Sequence, residues 1–214
     1  MSVIIPTKEE PLLQNLIDDV NSTLANRPHE IIIVDKSRIA PTVRNANLIP
    51  QLSEGLGQAI LEGIQYTQGD LLVTMDGDYS HDPNDLPTLL EASREYDIVL
   101  GSRFVPGGRT LDSRSRKSVS RFYRWFARTV LRLPLEDPMS GFCVARRAVY
   151  NAVKLKPIGY KVNLELIYKA KRKGFGVTEV PITFYPRRAG HSNAGIMEGV
   201  RTFSFILALR LGLS

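Results

Sequence analysis

The chain has 214 residues, 43% hydrophobic and 23% charged, an ordinary globular composition with enough apolar material for one sizeable core. Its single cysteine excludes an internal disulfide and suits a reducing compartment. No leader is expected at the start, because Val3-Ile4-Ile5 is cut short by Pro6 and has no basic flank.

Ser2 to Ile5 reads as a strand, broken by Pro6-Thr7. Glu9 and Glu10 lead into a helix near Leu12 to Leu24, with Leu13, Leu16, Ile17 and Val20 on one face. Glu30 to Val34 is a second apolar strand, ending in Asp35. Strand, helix and strand with continuous apolar strands predict an α/β fold built on a Rossmann-like, mostly parallel sheet flanked by helices. Ligands in such sheets sit beyond the carboxyl ends of the strands, which puts Pro6, Asp35 and the later Asp76 around one crevice. Residues 41–50 form a polar connection with room for a short third strand. Glu54-Gly55-Leu56-Gly57 then opens a helix to about Tyr66 with Ala59, Ile60 and Ile64 inward. Glycines there serve either close approach of an anion or tight packing.

Leu71 to Met75 is a short buried strand with a β-branched centre, and two carboxylates follow at once in Asp76-Gly77-Asp78. Hard oxygen ligands at the carboxyl end of a buried strand suit Mg²⁺ or Mn²⁺, above all one also held by a substrate's phosphates. A bare Asp-x-Asp can equally be a solvated turn capping the next helix. Gly77 lets the backbone bend where a Cβ would resist. Asp82-Pro83 starts a helix with Leu86, Leu89 and Leu90 apolar, and Asp97 to Leu100 is a further strand ending in Gly101-Ser102-Arg103.

From Arg103 to Arg132, nine basic residues (Arg103, Arg109, Arg114, Arg116, Lys117, Arg121, Arg124, Arg128 and Arg132) are opposed within the segment only by Asp112. Gly107-Gly108 marks a mobile loop. Arg121 to Leu133 reads as an amphipathic helix with Phe122, Trp125, Phe126 and Val130 between its arginines. That pattern suits a membrane surface, or equally a solvated basic face; no nucleic-acid recognition module is visible. After the turn Asp137-Pro138-Met139-Ser140-Gly141-Phe142 a strand is expected at Phe142 to Ala145 and a helix at Asn163 to Lys173. Gly176 to Tyr185 alternates as one half-exposed strand, and residues 187–193 form a polar loop. The tail from Ile196 to Leu213 is apolar, but its longest charge-free piece, Thr202 to Leu209, is far short of the ~20 residues of a spanning helix. It could lie on a bilayer, rest on the domain, or begin something longer. The division expected is a catalytic domain over 1–195, with a nucleotide-binding half (1–100) and an acceptor half (101–195), and a tail over 196–214.

In order and spacing these pieces resemble the family-2 glycosyltransferases of the GT-A fold, and within them the dolichol-phosphate mannose synthases. The resemblance is carried by Ser2-Val3-Ile4-Ile5-Pro6-Thr7 with Glu10, Ile31 to Asp35, Gly55-Leu56-Gly57 with Ala59 and Gly63, and Gly69-Asp70. It continues in Met75-Asp76-Gly77-Asp78, Ser80-His81 and Pro83, Asp97-Ile98-Val99, Gly101-Ser102-Arg103, Ser140-Gly141-Phe142 and Glu179-Val180-Pro181-Ile182. It implies that Asp76 and Asp78 hold Mg²⁺ or Mn²⁺ against a nucleotide-sugar diphosphate, and that Pro6, Thr7, Glu10, Asp35 and Gly55 line the nucleotide side. It also gives Arg103, Arg116 and Ser120 to the phosphate of a lipid acceptor, and Arg187 to a loop closing on the donor phosphates. The chain departs from the family at Lys8-Glu9, where Tyr-Asn is usual, at Lys36, where a second Asp is usual, and at Ser192-Asn193, where Ser-Lys is usual.

The activity so implied is inverting transfer of a hexose, mannose from GDP-mannose in the first instance, to dolichyl or polyprenyl phosphate at the cytoplasmic face of a membrane. UDP-glucose is the near alternative donor. Two readings from other classes are a phosphatase of the haloacid dehalogenase type with Asp76 as nucleophile, and a non-catalytic basic module binding membrane or nucleic acid. The chemistry is consistent with transfer: a phosphate acceptor is already anionic, so the tasks are to bring two anions together and stabilise the leaving diphosphate. Arginines suit the first task because their planar fork matches phosphate oxygens.

Overall fold

Six of the seven strands of the main sheet run parallel and a seventh is inserted against them. The structure, a computed structural model, describes residues 1–111, 114–156, 161–186 and 196–213; the side chains of 114–119, 196–198 and 200 lie outside the described set. In chain order the elements are β1 (Ser2–Thr7), α1 (Leu13–Thr23), β2 (Glu30–Asp35), β3 (Asn47–Pro50), α2 (Leu56–Gln65), β4 (Leu71–Thr74), α3 (Leu86–Ala92), β5 (Ile98–Ser102) and β6 (Arg109–Thr110). Then follow α4 (Arg114–Leu131), β7 (Cys143–Arg146), α5 (Arg147–Ala152), α6 (Val162–Arg172), β8 (Val177–Pro181), β9 (Thr183–Phe184) and α7 (Ile196–Leu211). The sheet order is β3-β2-β1-β4-β7-β5-β8, and only β7 is antiparallel to its neighbours.

The continuous apolar strands are buried on both faces, as their composition requires. Ile4, Ile32, Val34, Leu72, Ile98, Leu100 and Cys143 point to one side, where residues of α2, α4, α5, α6 and α7 cover them. Val3, Ile5, Ile31, Ile33, Val73, Val99 and Val144 point to the other, against α1 and α3. Each fully buried Ile or Leu contributes roughly 1.5–3 kcal/mol of transfer free energy. Leu13, Leu16, Ile17 and Val20 form the inward face of α1 as their spacing predicts. Cys143 is fully buried at the centre of the sheet, and burial pushes its thiol up to about 12, so it is an inert core residue.

One open point of the sequence reading is resolved and two boundaries differ from it. The polar connection does hold a third strand, β3, paired to the edge of β2. The basic helix starts at Arg114, seven residues before the expected Arg121, because its arginines and lysine are good helix formers. It stops at Leu131 because Arg132 takes a left-handed φ of 52° and Leu133 N–H returns to the Arg128 carbonyl at 3.0 Å. The single half-exposed strand is two: Ile182 donates its N–H to Ser102 at the end of β5 and gives its carbonyl to Arg109 of β6, each at 3.0 Å, so the chain passes there from the large sheet to a two-stranded one. The Gly107-Gly108 segment is a tight turn closed by the Gly108 N–H on the Val105 carbonyl at 2.9 Å.

The apolar tail rests on the domain. Thr202, Phe205, Ile206 and Leu209, spaced for one helical face, are buried. Phe203 stacks on Phe126 of α4 at 4.4 Å. Among the described residues no helix is long and apolar enough to cross a membrane.

Candidate active site

The acidic bend leaves β4 at the centre of the sheet, beyond the carboxyl ends of β1 and β4. Gly77 is where β1 comes closest: a Cβ there would lie 2.7 Å from Thr7 Cγ2 and 3.2 Å from the Pro6 carbonyl oxygen. The turn itself is made elsewhere. Tyr79, not Gly77, carries the left-handed φ of 61°, an unusual conformation for an aromatic residue. Its ring is buried and its hydroxyl donates to Asp19 Oδ2 of α1 at 2.7 Å, which holds it there. The Asp78 carboxylate accepts the Ser80 N–H at 2.9 Å, closing the bend.

His81 organises the other side of the bend. It is buried, stacked on Phe142 at 5.0 Å and met edge-on by Phe184 at 5.5 Å. The Asp76 backbone N–H donates to His81 Nδ1 at 3.1 Å, which requires that nitrogen to carry a lone pair. Burial holds the imidazole below its ordinary pKa, against the pull of the Asp76 and Asp78 carboxylates. His81 is therefore neutral, and its 3.8 Å approach to Asp76 Oδ2 is a contact and not an ion pair. Gly141 closes over the same carboxylate: a Cβ there would sit 3.2 Å from Asp76 Oδ1 and 3.2 Å from His81 Cε1.

Asp76 is one-third exposed and Asp78 nearly buried. Two hard carboxylates on one bend fit a Mg²⁺ or Mn²⁺ whose shell is completed by phosphate oxygens and water. Among the described residues no group of three or more His, Cys, Asp or Glu is placed to hold a metal ion.

The predicted nucleotide side assembles at the ends of β1 and β2. Pro6 and Thr7 pair with Val34 and Asp35. Thr7 Oγ1 donates to Asp35 Oδ1 at 2.9 Å, and Ser37 Oγ donates to the same oxygen at 2.7 Å. The departures at Lys8-Glu9 and Lys36 have structural uses. Glu9, at φ 54°, donates its N–H to Ser37 Oγ and accepts the Arg38 N–H, tying the β1 and β2 loops together. Lys36 reaches the Ser53 carbonyl at 2.8 Å and Glu54 at 2.9 Å. Glu62 accepts the N–H groups of Leu52 and Ser53, so the loop before α2 is fixed, with Gly55 at φ 93° as its N-cap. Glu10 gives its carbonyl to the first turn of α1. Glu9 enters the sequence reading only as a helix lead and a departure, and Ser37 and Glu62 not at all, because their hydrogen bonds join separate segments.

The arginine side begins one ring away from the acidic bend. Arg103, at the end of β5, donates through Nε and one terminal nitrogen to the buried Asp137 at 2.6 and 2.8 Å. Its guanidinium lies 4.9 Å from the Phe184 ring that also meets His81. Tyr185 N–H donates to the Ser80 carbonyl at 3.0 Å and Thr183 N–H to Asp85 at 3.3 Å, so β9 is bound along the bend. Burial, opposed by the Thr183 N–H, pushes the Asp85 carboxyl up to about 6. Ser120 is half-buried on α4. Arg116 lies on the same helix with its side chain outside the described residues, and Arg187, Arg188, His191, Ser192 and Asn193 lie outside them altogether. A cleft of about 270 Å³ lined by Met1, Asp70, Arg94 and Arg146 lies at the opposite, amino ends of the strands and takes no part in this arrangement.

Comparison with known proteins agrees with this geometry. A family model, glycosyl transferase family 2, matches residues 2–154. The chain is 34% identical over 221 residues to a dolichol-phosphate mannosyltransferase of Pyrococcus furiosus, covering 96% of this chain and 61% of the relative. It is 40% identical over 146 residues to an undecaprenyl-phosphate mannosyltransferase of Micrococcus luteus, covering 65% and 60%. The chain thus spans about three-fifths of the length of these relatives. Among solved structures it is similar to glucosyl-3-phosphoglycerate synthase from Mycobacterium tuberculosis in complex with Mn²⁺, UDP and phosphoglyceric acid. The TM-score is 0.74 at 23% identity, over 99% of this chain and 78% of that one, a likeness of fold. With its mostly parallel sheet, its acidic bend and a family match over most of its length, the chain belongs to glycosyl transferase family 2.

Proposed function

We propose that this chain is a metal-dependent, inverting glycosyltransferase that moves a hexose from a nucleotide sugar to a polyprenyl or dolichyl phosphate. The observation that carries the reading is the shared ring: Phe184 meets His81 of the acidic bend on one side and Arg103 on the other. The bend proposed to hold the cation and the arginine proposed to take the acceptor phosphate thus stand one aromatic ring apart. The mannosyltransferase relatives favour mannose; we take GDP-mannose as the donor and UDP-glucose as its competitor. The first strand ends in Pro6-Thr7 and not in an aspartate, which gives the phosphatase reading no nucleophile in its usual place.

Asp76 and Asp78 would hold Mg²⁺ or Mn²⁺. When bound, the ion neutralises charge on the departing diphosphate. The remaining tasks fall to the chain itself. Asp35, oriented by Thr7 and Ser37, presents a fixed acceptor at the nucleotide side. His81 keeps the Asp76 backbone in place without adding charge. Arg103, Arg116 and Ser120 receive the acceptor phosphate, whose oxygen attacks the anomeric carbon from the face opposite the leaving group and so inverts it. Arg187 closes on the donor phosphates. The exposed Phe122 and Trp125 beside Arg121 and Arg132 give α4 the character of a helix lying in a membrane surface; we place that surface at the cytoplasmic face.

The test is thermal unfolding with GDP-mannose or UDP-glucose, with and without Mn²⁺. A true donor at ~100 times its dissociation constant should stabilise the fold by ~2.7 kcal/mol. The gain should require Mn²⁺ and vanish in Asp78→Asn. A metal-independent gain, or none with any nucleotide sugar, overturns the reading.

A further inference from the structure

Two guanidiniums share one phenyl ring on the acceptor side. Arg103 lies 5.2 Å from the centroid of the Phe104 ring, and Arg124 of α4 lies 4.0 Å from it. Like charges so placed repel unless carboxylates stand beside them. Two consecutive carboxylates do. Asp137 takes Arg103 in a two-pronged pair, while Glu136 takes Arg124 at 3.3 Å and Arg128 at 2.6 Å. The backbone N–H groups of Glu136 and Asp137 both donate to the Glu179 carboxylate on β8, which fixes the dipeptide to the sheet. A ring and a dipeptide thus join α4 to Arg103 by two separate routes.

Arg124 donates through one terminal nitrogen to the Glu136 carbonyl at 3.2 Å and carboxylate at 3.3 Å, but its hydrogen bonding is incomplete. Its Nε is buried with no hydrogen-bond partner, which costs free energy. Its planar face on Phe104 is the contact that offsets this. Its place on α4 is also particular. Arg116, Ser120 and Arg124 follow at four-residue steps along α4. The first two are those the family resemblance gives to the acceptor phosphate.

We infer that Arg124 and Phe104 are positioning residues for the acceptor: together they set the plane of the Arg103 guanidinium from the α4 side, so that the incoming phosphate meets an arginine already oriented. The inference rests on the reading that Arg103 binds the acceptor phosphate, and it adds two residues that act through Arg103. Charge at position 124 is not sufficient, because an ammonium has no flat face to lay on the ring.

The experiment is calorimetric binding of farnesyl phosphate to the full chain and its variants, with farnesol as the probe lacking phosphate. Arg103→Ala should weaken farnesyl phosphate by about tenfold or more, the scale of a lost charge-assisted hydrogen bond. Arg124→Met and Phe104→Leu should each weaken it by about threefold to tenfold, the scale of a lost cation–π contact, and farnesol binding should not change. Arg124→Lys keeps Glu136 paired, guards against misfolding, and should still bind more weakly than the wild type, because its ammonium cannot stack flat on the ring. In the Arg103→Ala background Arg124→Met should add nothing, because its effect passes through the missing side chain. Wild-type affinity in Arg124→Met and Phe104→Leu overturns the inference. So does full recovery in Arg124→Lys, or an additive loss in the double variant, which would put Arg124 directly on the phosphate. An Arg103→Ala variant that binds farnesyl phosphate normally overturns instead the acceptor reading of Arg103.

Discussion

At the scale of single residues, the Asp76 carboxylate owes its position to an absence. Gly141 leaves room for it, and a methyl group there would stand 3.2 Å from Oδ1. Gly141→Ala is expected to turn the carboxylate and weaken Mn²⁺ uptake by about tenfold, the scale of a disturbed ligand set, while the melting temperature moves by only a few degrees. Titration of Mn²⁺ by electron paramagnetic resonance in the presence of a nucleoside diphosphate checks this; unchanged affinity would show that the contact does not matter. The two aspartates were legible in the sequence because a short apolar run ending in Asp-Gly-Asp is a local signal. Tyr79 and His81 were not legible in their roles. The left-handed φ of Tyr79 depends on Asp19, sixty residues earlier, and the neutrality of His81 depends on rings from positions 142 and 184.

At the scale of elements, α4 has two separate faces. Ala127 and Leu131 are buried with the core and Phe126 meets α7, while Phe122 and Trp125 remain 50% and 59% exposed. The sequence shows the arginines but conceals their partners. Asp112 is the one carboxylate inside the basic segment, yet Arg103, Arg124 and Arg128 are paired by Glu136 and Asp137, just beyond it. The basic surface of α4 is accordingly smaller than a count of its arginines suggests. Binding to anionic vesicles should then depend on the aromatic residues as much as on charge. Trp125→Ser with Phe122→Ser is expected to lower co-sedimentation with phosphatidylserine vesicles by about tenfold or more, leaving the melting temperature unchanged. Equal co-sedimentation would remove the membrane role from this helix. The start of α7 was legible from the apolar run that opens at Ile196, but its packing on α4 was not, because it depends on Phe126 far away in the chain.

At the scale of the whole molecule, the parallel sheet was readable from strands apolar throughout their length, and six of its seven strands were readable in order of occurrence. Their order in space was not. The sequence suggests a nucleotide-binding half that ends near Leu100, but β4 and β5 do not touch in the sheet; β7 lies between them, paired to both. Residues 1–100 alone should therefore lack a hydrogen-bonded partner for one edge of β4 and for all of β5. Such a fragment is expected to give circular dichroism and amide-exchange profiles of a largely unfolded chain, whereas the 214-residue protein is folded. A cooperatively melting 1–100 fragment would refute this.

The inserted strand also orders events in time. A chain leaving the ribosome exposes the two aspartates long before it has made residues 143–146, so the turn that carries them is unbacked during that interval. The cation and sugar-nucleotide binding proposed for that turn is therefore expected in a single late step, once the reversed strand has paired with β4 and β5. Translation paused before that point should yield polypeptide with no partial activity.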